Sequence, residues 1–262
     1  MTTGAAGVTG VSDVGGAAAR VDVEWGVSGA RSLTEGADAA DAVVVVDVLS
    51  FSTSVTVACE RGARVWPHPG GEAAHQLARS LEAVLAGTRS HTEGPSLSPA
   101  SLRELEPGVR LVLPSPNGSS ISHVLMTCKA PVFLGCLRNA RAVADRVGEV
   151  VTELRAERGE GAAARVAVVP AGERWGDGSL RVAYEDLVGA GAVIARLAAL
   201  SDVDLAPEAL AAALAFEHRV ALTATPSGRE LVERGFADDV AIAEELDASS
   251  VVPVLRDGSF TP

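Results

Sequence analysis

The apolar positions of the chain change period repeatedly. Residues 21–25 and 42–49 read as strands, the second a nearly unbroken valine run of the kind buried on both faces. Residues 54–61 read as a helix closed by Gly62, and 64–67 as a short strand. Residues 72–85 have helical spacing, with Leu77, Leu81, Val84 and Leu85 on one face. A long polar stretch follows at 91–107. Then come a strand at 109–113, a helix at 119–128, a strand at 131–135 and a helix at 139–157 that Asn139 is placed to cap. A strand at 165–170 leads into a second polar loop, 171–181. A helix at 183–200 is expected to bury Leu187, Val188, Gly191, Ile194 and Ala198. The rest is mostly helical, with Thr225-Pro226 as a helix start and a last strand at 251–255 ended by Asp257-Gly258.

Strand alternating with helix predicts an α/β fold, a mostly parallel sheet flanked by helices with a more helical C-terminal part. Residues 1–19 open Gly/Ala/Thr-rich and read as a flexible tail, and 20–262 as the folded domain. The regular alternation stops near residue 200, where a sub-domain boundary would fall.

Composition narrows the function classes. Apolar residues make up 47% of the chain, enough for a sizeable core. The 22 Lys and Arg against 34 Asp and Glu leave a net charge of −12, and Lys129 is the only lysine. A chain this acidic, with no basic run, is neither a general nucleic-acid binder nor a protein that docks on anionic lipid. No stretch is long enough for a transmembrane helix, and the N-terminus lacks the pattern of a signal peptide. Cys59, Cys128 and Cys136 have no disulfide or zinc spacing. A cytoplasmic location is the expectation.

Ligands of open α/β sheets bind beyond the carboxyl ends of the strands. Asp47, Ser50, Ser52, Thr53 and Ser54 follow the valine strand. Ser115, Asn117, Gly118, Ser119 and Ser120 follow the strand at 109–113. Gly135, Arg138 and Asn139 follow the next, and Gly172, Glu173 and Arg174 the one after. Three of these ends run into helix N-termini, whose free N–H groups suit an anion. Carboxylates beside them suit a hard cation such as Mg²⁺. Each piece has a plainer reading. The hydroxyls are ordinary caps, Asn117-Gly118 is a common turn, and Glu185 and Asp186 complement a helix dipole. A lone carboxylate at Asp47, closing an apolar run, is harder to explain away. The five histidines form no metal spacing. No GxGxxG follows a strand, and GxxxxGK and GxSxG are absent. The strand ending at Asp47 resembles that of haloacid-dehalogenase phosphatases, but Leu49 stands where their second aspartate belongs.

Taken in order, several segments are similar to the 2-phosphosulfolactate phosphatases of coenzyme M biosynthesis, the ComB family. They are Val45 to Leu49 with Ser52-Thr53-Ser54, Ala86 to Arg89, Leu97-Ser98-Pro99, Asn117-Gly118-Ser119 and Arg138-Asn139-Ala140. Ala171-Gly172, Tyr184 to Leu187, Ser227-Gly228, Gly235-Phe236, Asp239-Val240 and Val252-Pro253-Val254 complete the set. The resemblance implies a ComB-like fold and Mg²⁺-dependent hydrolysis of 2-phosphosulfolactate to sulfolactate and phosphate. Combined with the strand-end reading, it assigns Mg²⁺ to Asp47, Glu185 and Asp186. It makes Asp47, Arg89, Arg138 and Glu173 catalytic. It gives substrate binding to Ser52, Thr53, Ser98, Asn117, Gly118, Ser119 and Asn139. Many relatives carry arginine where this chain has Ser50 and Ser120, and the chain also departs from their usual pattern at Thr88, Leu97 and Pro170.

The expected partner is a small anionic phosphomonoester, with homo-oligomerisation left open. The rival reading is a non-catalytic binder of small organic anions on the same fold with a decayed site. A dehydrogenase would need the missing glycine fingerprint. The strand-end reading requires Asp47, Asn117, Arg138 and Glu173 to lie near one edge of a single sheet.

Overall fold

A computed structural model describes residues 17–90, 94–159 and 162–262. Most of the tail expected at 1–19 lies outside the described residues. The first half contains β1 (Ala19–Val23), α1 (Gly26–Thr34), β2 (Ala42–Val46), α2 (Phe51–Glu60), β3 (Arg64–His68), α3 (Glu72–Ser80), β4 (Val84–Leu85), α4 (Pro99–Leu102), β5 (Arg110–Pro114) and α5 (Gly118–Val124). The second contains β6 (Val132–Gly135), α6 (Ala140–Arg158), β7 (Ala164–Pro170), β8 (Glu173–Arg174), β9 (Leu180–Arg181), α7 (Tyr184–Leu200), β10 (Val203–Leu205), α8 (Pro207–Glu217), α9 (Pro226–Glu233), α10 (Ala237–Glu244), β11 (Val254–Arg256) and β12 (Ser259–Thr261).

Among the described residues, ten strands form one sheet in the order β10-β1-β7-β2-β6-β11-β12-β3-β5-β4. The expected α/β architecture, mostly parallel and flanked by helices, is the observed one. Within β10-β1-β7-β2-β6 every pairing is parallel, as it is within β3-β5-β4. The hairpin of β11 and β12 splices the two blocks through three antiparallel pairings. Three reversals mean that β3, β5 and β4 run against the first block.

The valine run explains the centre of the sheet. All five residues of β2 are buried. Val44 and Val46 face a cluster built with α6, α7 and α8. Val43 and Val45 face a second cluster that takes in α2 and α5 and draws side chains from both strand blocks. A strand covered on both faces needs no polar alternation.

Three local expectations change. The helix at 72–85 stops at Ser80 because the chain turns at Glu82, whose φ is 49°. Val84 and Leu85 then join the sheet edge beside β5 instead of lying on the helix face. Asn139 begins α6 but does not cap it. Its side chain accepts the Cys136 N–H and donates to Leu134 and Val251 carbonyls, fixing the turn after β6. The Asp257-Gly258 turn joins β11 to a further strand, β12, that periodicity did not show. Thr225 caps α9 as expected, its Oγ1 accepting the Gly228 N–H at 3.0 Å.

Beyond residue 200 the chain rejoins the same sheet through β10, which pairs with β1. No helix among the described residues is long and apolar enough to cross a membrane. Helix α8 crosses α7 at Gly191, where a Cβ would stand 1.9 Å from the Ala212 carbonyl oxygen. Gly191→Ala must therefore push the two helices apart. Overpacking of this kind costs about 1–3 kcal/mol. The urea midpoint of the variant should fall accordingly, and an unchanged midpoint would contradict the close crossing.

Candidate functional site

The site is built around the turn that follows β2. The Asp47 N–H donates to Ser52 Oγ at 2.9 Å, and the Ser52 N–H returns to the Asp47 carbonyl at 2.8 Å. Thr53 Oγ1 donates to the Val48 carbonyl at 2.8 Å. These bonds fix the turn and leave the buried Asp47 carboxylate facing the starts of α2 and α5. Its Oδ1 accepts the Phe51 N–H at 3.0 Å, and its Oδ2 accepts the Gly118 N–H at 2.8 Å. Gly118 opens α5, so the carboxylate joins the carboxyl ends of β2 and β5. A Cβ on Gly118 would lie 2.4 Å from Phe51 Cδ1 and 2.7 Å from Asp47 Oδ2, which restricts the position to glycine.

Two further acids flank this turn. Asp186, in the first turn of α7, accepts the Val48 N–H at 2.7 Å and the Gly172 N–H at 2.9 Å, stapling the loop after β2 to the loop after β7. Glu173 opens the small β8–β9 hairpin and accepts from Asn117 Nδ2 at 3.1 Å. Burial, then repulsion from Glu173, pushes Asp47 up to about 7, against the pull of its two N–H donors and Arg89. Burial, then Asp47 and Glu185, holds Asp186 well above the usual carboxylate range. Glu173 is raised chiefly by burial, with Glu185 adding to it and Asn117 and Arg181 offsetting it.

Asp47 and Glu173 line a cavity of about 310 Å³ together with Ser50, Asn117, Arg89, Arg174, Arg181, Glu230 and Arg234. Arg89 is nearly buried. It pairs with Asp239 of α10, donates to Ser50 Oγ at 2.7 Å and stacks over the Phe236 ring at 5.6 Å. Arg181 stacks over Trp175 and reaches Ser227 Oγ at 3.4 Å. Arg234 pairs with Glu230 at 3.0 Å.

The structure brings Asp47, Arg89, Asn117 and Glu173 to one cavity, with the Gly118 amide beneath it. Ser98 stands one contact back, donating to the Asp239 carboxylate that holds Arg89. The other expected positions are elsewhere. Arg138 follows β6, but its guanidinium forks onto Glu60 at 2.9 and 3.2 Å and pairs with Glu245, so it does not line the cavity. Ser52, Thr53 and Ser119 are fully buried, and their hydroxyls bond backbone carbonyls or, at Ser52, the Asp47 amide. Asn139 is buried in the turn after β6. Glu185 and Asp186 lie behind the cavity, and both Asp186 oxygens already accept backbone N–H groups.

Arg174 stands among the strand-end residues without a role there, Asp239 enters only through the Asp239-Val240 segment of the resemblance, and Arg181 and Arg234 are not singled out. The Asp177-Gly178 dipeptide carried the missing signal for Arg181. Read with Gly176 as a three-residue hairpin loop, it sets Glu173 opposite Arg181, as observed. Nothing local marks Asp239, which tertiary packing of α10 delivers.

Among the described residues, no three His, Cys, Asp or Glu side chains form a ready metal cage. Mg²⁺ does not require one, since one or two carboxylates with water and phosphate oxygens suffice. Asp47 and Glu173 meet that description. They face one cavity, repel each other, and each Asp47 oxygen keeps a lone pair beyond its single N–H donor.

A family model described as 2-phosphosulpholactate phosphatase matches residues 30–258. The "2-phosphosulfolactate phosphatase" of Methanothermobacter thermautotrophicus is 31% identical, over 82% of this chain and 87% of its own length. The "Probable 2-phosphosulfolactate phosphatase" of Thermus thermophilus is 30% identical, over 82% and 88%. That of Carboxydothermus hydrogenoformans is 28% identical, over 81% and 85%.

The raised acids set a pH dependence. Between about pH 4 and pH 7 the folded chain keeps protons on Asp47 that the unfolded chain has released. Stability therefore falls as pH rises through that window. The melting temperature of the metal-free protein should drop between pH 5 and pH 8. Burial and His123 hold His68 below the ordinary histidine range, which works in the opposite sense at the acid end. Asp47→Asn leaves His68 in place and so isolates the carboxylate. The variant should show a clearly smaller drop, whereas equal drops would mean that Asp47 is not ionised against a penalty.

Proposed function

The chain belongs to the 2-phosphosulfolactate phosphatase family, and on that footing we propose that it is a Mg²⁺-dependent phosphomonoester hydrolase acting on 2-phosphosulfolactate or a close relative. The observation that carries this reading is one cavity in which a buried Asp47 and a half-buried Glu173 repel each other and face several arginines. A protein that only captured anions would gain nothing from placing two carboxylates beside them, since like charges repel. A divalent cation between the carboxylates and the phosphoryl group gives both charge types a purpose.

Asp47 and Glu173 would hold the ion. When bound, Mg²⁺ supplies charge neutralisation at the phosphoryl oxygens and a position for the attacking water. The Phe51 and Gly118 amides keep Asp47 aimed, and Asn117 orients Glu173. Arg174 and Arg181, carried on the β8–β9 hairpin, would take the acid groups of the substrate. Water adds its oxygen to phosphorus, the phosphorus–ester oxygen bond breaks, and the departing alkoxide takes up a proton to leave the hydroxy acid and phosphate.

Phosphosulfolactate carries about four negative charges at neutral pH, with phosphate counted as nearly two. Asp47 and Glu173 already balance the charge of the ion, so the arginines of the cavity are left to meet the charge of the substrate. Ser50, where many relatives have arginine, is already bonded by Arg89. Ser120 is half-buried and donates to the Pro116 carbonyl at 2.7 Å.

Phosphate release from 2-phosphosulfolactate should require Mg²⁺, vanish with chelator and return when the ion is restored. Asp47→Asn should lower kcat/KM by roughly a hundredfold or more, since it removes a charge facing the ion. Arg181→Ala should cost roughly tenfold to a hundredfold, mostly in KM, as expected for a lost charged hydrogen bond. Full activity in chelator, or in Asp47→Asn, would defeat the reading.

A further inference from the structure

A second and larger cavity adjoins the charged one. It measures about 760 Å³ against about 310 Å³, and Arg89, Leu97, Ser115 and Pro116 line both. Its remaining wall is largely apolar, drawn from Ala74 of α3, Val84 and Leu85 of β4, and Pro95 and Pro114. The wall is left open because β4 is a two-residue strand at the sheet edge, and Val84 stays 44% exposed. Arg89 is the one arginine on it, and Asp239 and Ser50 already engage that guanidinium. Among the described residues, a carboxylate or sulfonate entering this chamber would find no uncommitted arginine or lysine, whereas the smaller cavity holds Arg174, Arg181 and Arg234. A mostly apolar concavity of this size with a few polar groups at one end is the usual form of a small-molecule subsite.

We propose that this chamber receives the carbon skeleton of the substrate, so that the chain prefers phosphomonoesters of 2-hydroxy acids bearing an apolar side chain of several carbons. The proposal rests on the phosphatase reading above. The phosphate and carboxylate occupy the charged cavity, and the side chain passes between Arg89 and Pro116 into the chamber. Apolar surface left wet beside a reaction site is unfavourable, and a ligand that covers it recovers about 0.8 kcal/mol for each buried methylene, a factor of roughly four.

The test uses the full chain with Mg²⁺ and a homologous series: the phosphate esters of lactate, 2-hydroxyhexanoate and 2-hydroxy-4-phenylbutanoate, with 2-phosphosulfolactate as the charged comparator. kcat/KM should rise at least tenfold from the lactate ester to the hexanoate ester and hold or rise further with the phenyl group. Val84→Asp, at an exposed position, puts a charge on the chamber wall, and His75→Trp narrows its mouth. Each should cut the hexanoate-to-lactate ratio at least fivefold. Brisk turnover of 2-phosphosulfolactate with a flat ester series overturns the proposal alone, as would a chamber sealed by a second copy of the chain. A ratio untouched by both variants also overturns it. No phosphate release from any ester, Mg²⁺ present, removes the phosphatase reading and this proposal with it.

Discussion

The Asp47 carboxylate, held between the amides of Phe51 and Gly118, ties together loops from two strand blocks that run in opposite directions. Both loops are short and both lead into helices, so the two amide donors come from helix starts, where N–H groups lack partners within the helix. The tie is costly in one respect, because it keeps an acid out of water beside Glu173 and Asp186. A buried carboxylate stays in place only where donors or a counter-charge hold it. Here the donors come from the fold, and the remaining charge is directed into a cavity.

The other features of the site follow from that constraint. Gly118 has to be glycine, because any side chain would strike Phe51 and the carboxylate itself. Asp186 answers the two amides left open at Val48 and Gly172, so it stabilises the loops that carry Asp47 and Glu173 without reaching the cavity. Asp239 does the same for Arg89 from the far end of the chain. The acids and arginines that meet there come from β2, β7 and the hairpin after it, the segment between β4 and β5, and the α9 region. Assembling them requires the whole sheet, including the β11–β12 hairpin that splices its halves.

The sequence made part of this visible. The valine run and strand–helix alternation located the central strands, because a strand buried on both faces has an unmistakable composition. Asp47 stood out as a charge ending that run. The segment at 72–85 misled because an edge strand two residues long has no period of its own, and Leu85 falls where a helix face would continue. The hydroxyls at Ser52, Thr53 and Ser119 looked like ligand contacts, but a tight turn consumes them on its own backbone. Arg138 looked cationic and available, yet Glu60 and Glu245 are set against it by packing between segments far apart in the chain. The reversed direction of β3, β5 and β4 was invisible, since β12 is three residues long and its partners are set only by tertiary contact.

The central claim is that Asp47 and Glu173, rather than Glu185 and Asp186, face a cation shared with the substrate phosphate. A crystal of the protein soaked with Mn²⁺ and 2-phosphosulfolactate, measured at the manganese absorption edge, tests this most directly. The account predicts one strong anomalous peak within bonding distance of both the Asp47 and Glu173 carboxylates and of a phosphoryl oxygen. A peak on Glu185 and Asp186, or phosphate bound with no metal beside Asp47, would contradict it.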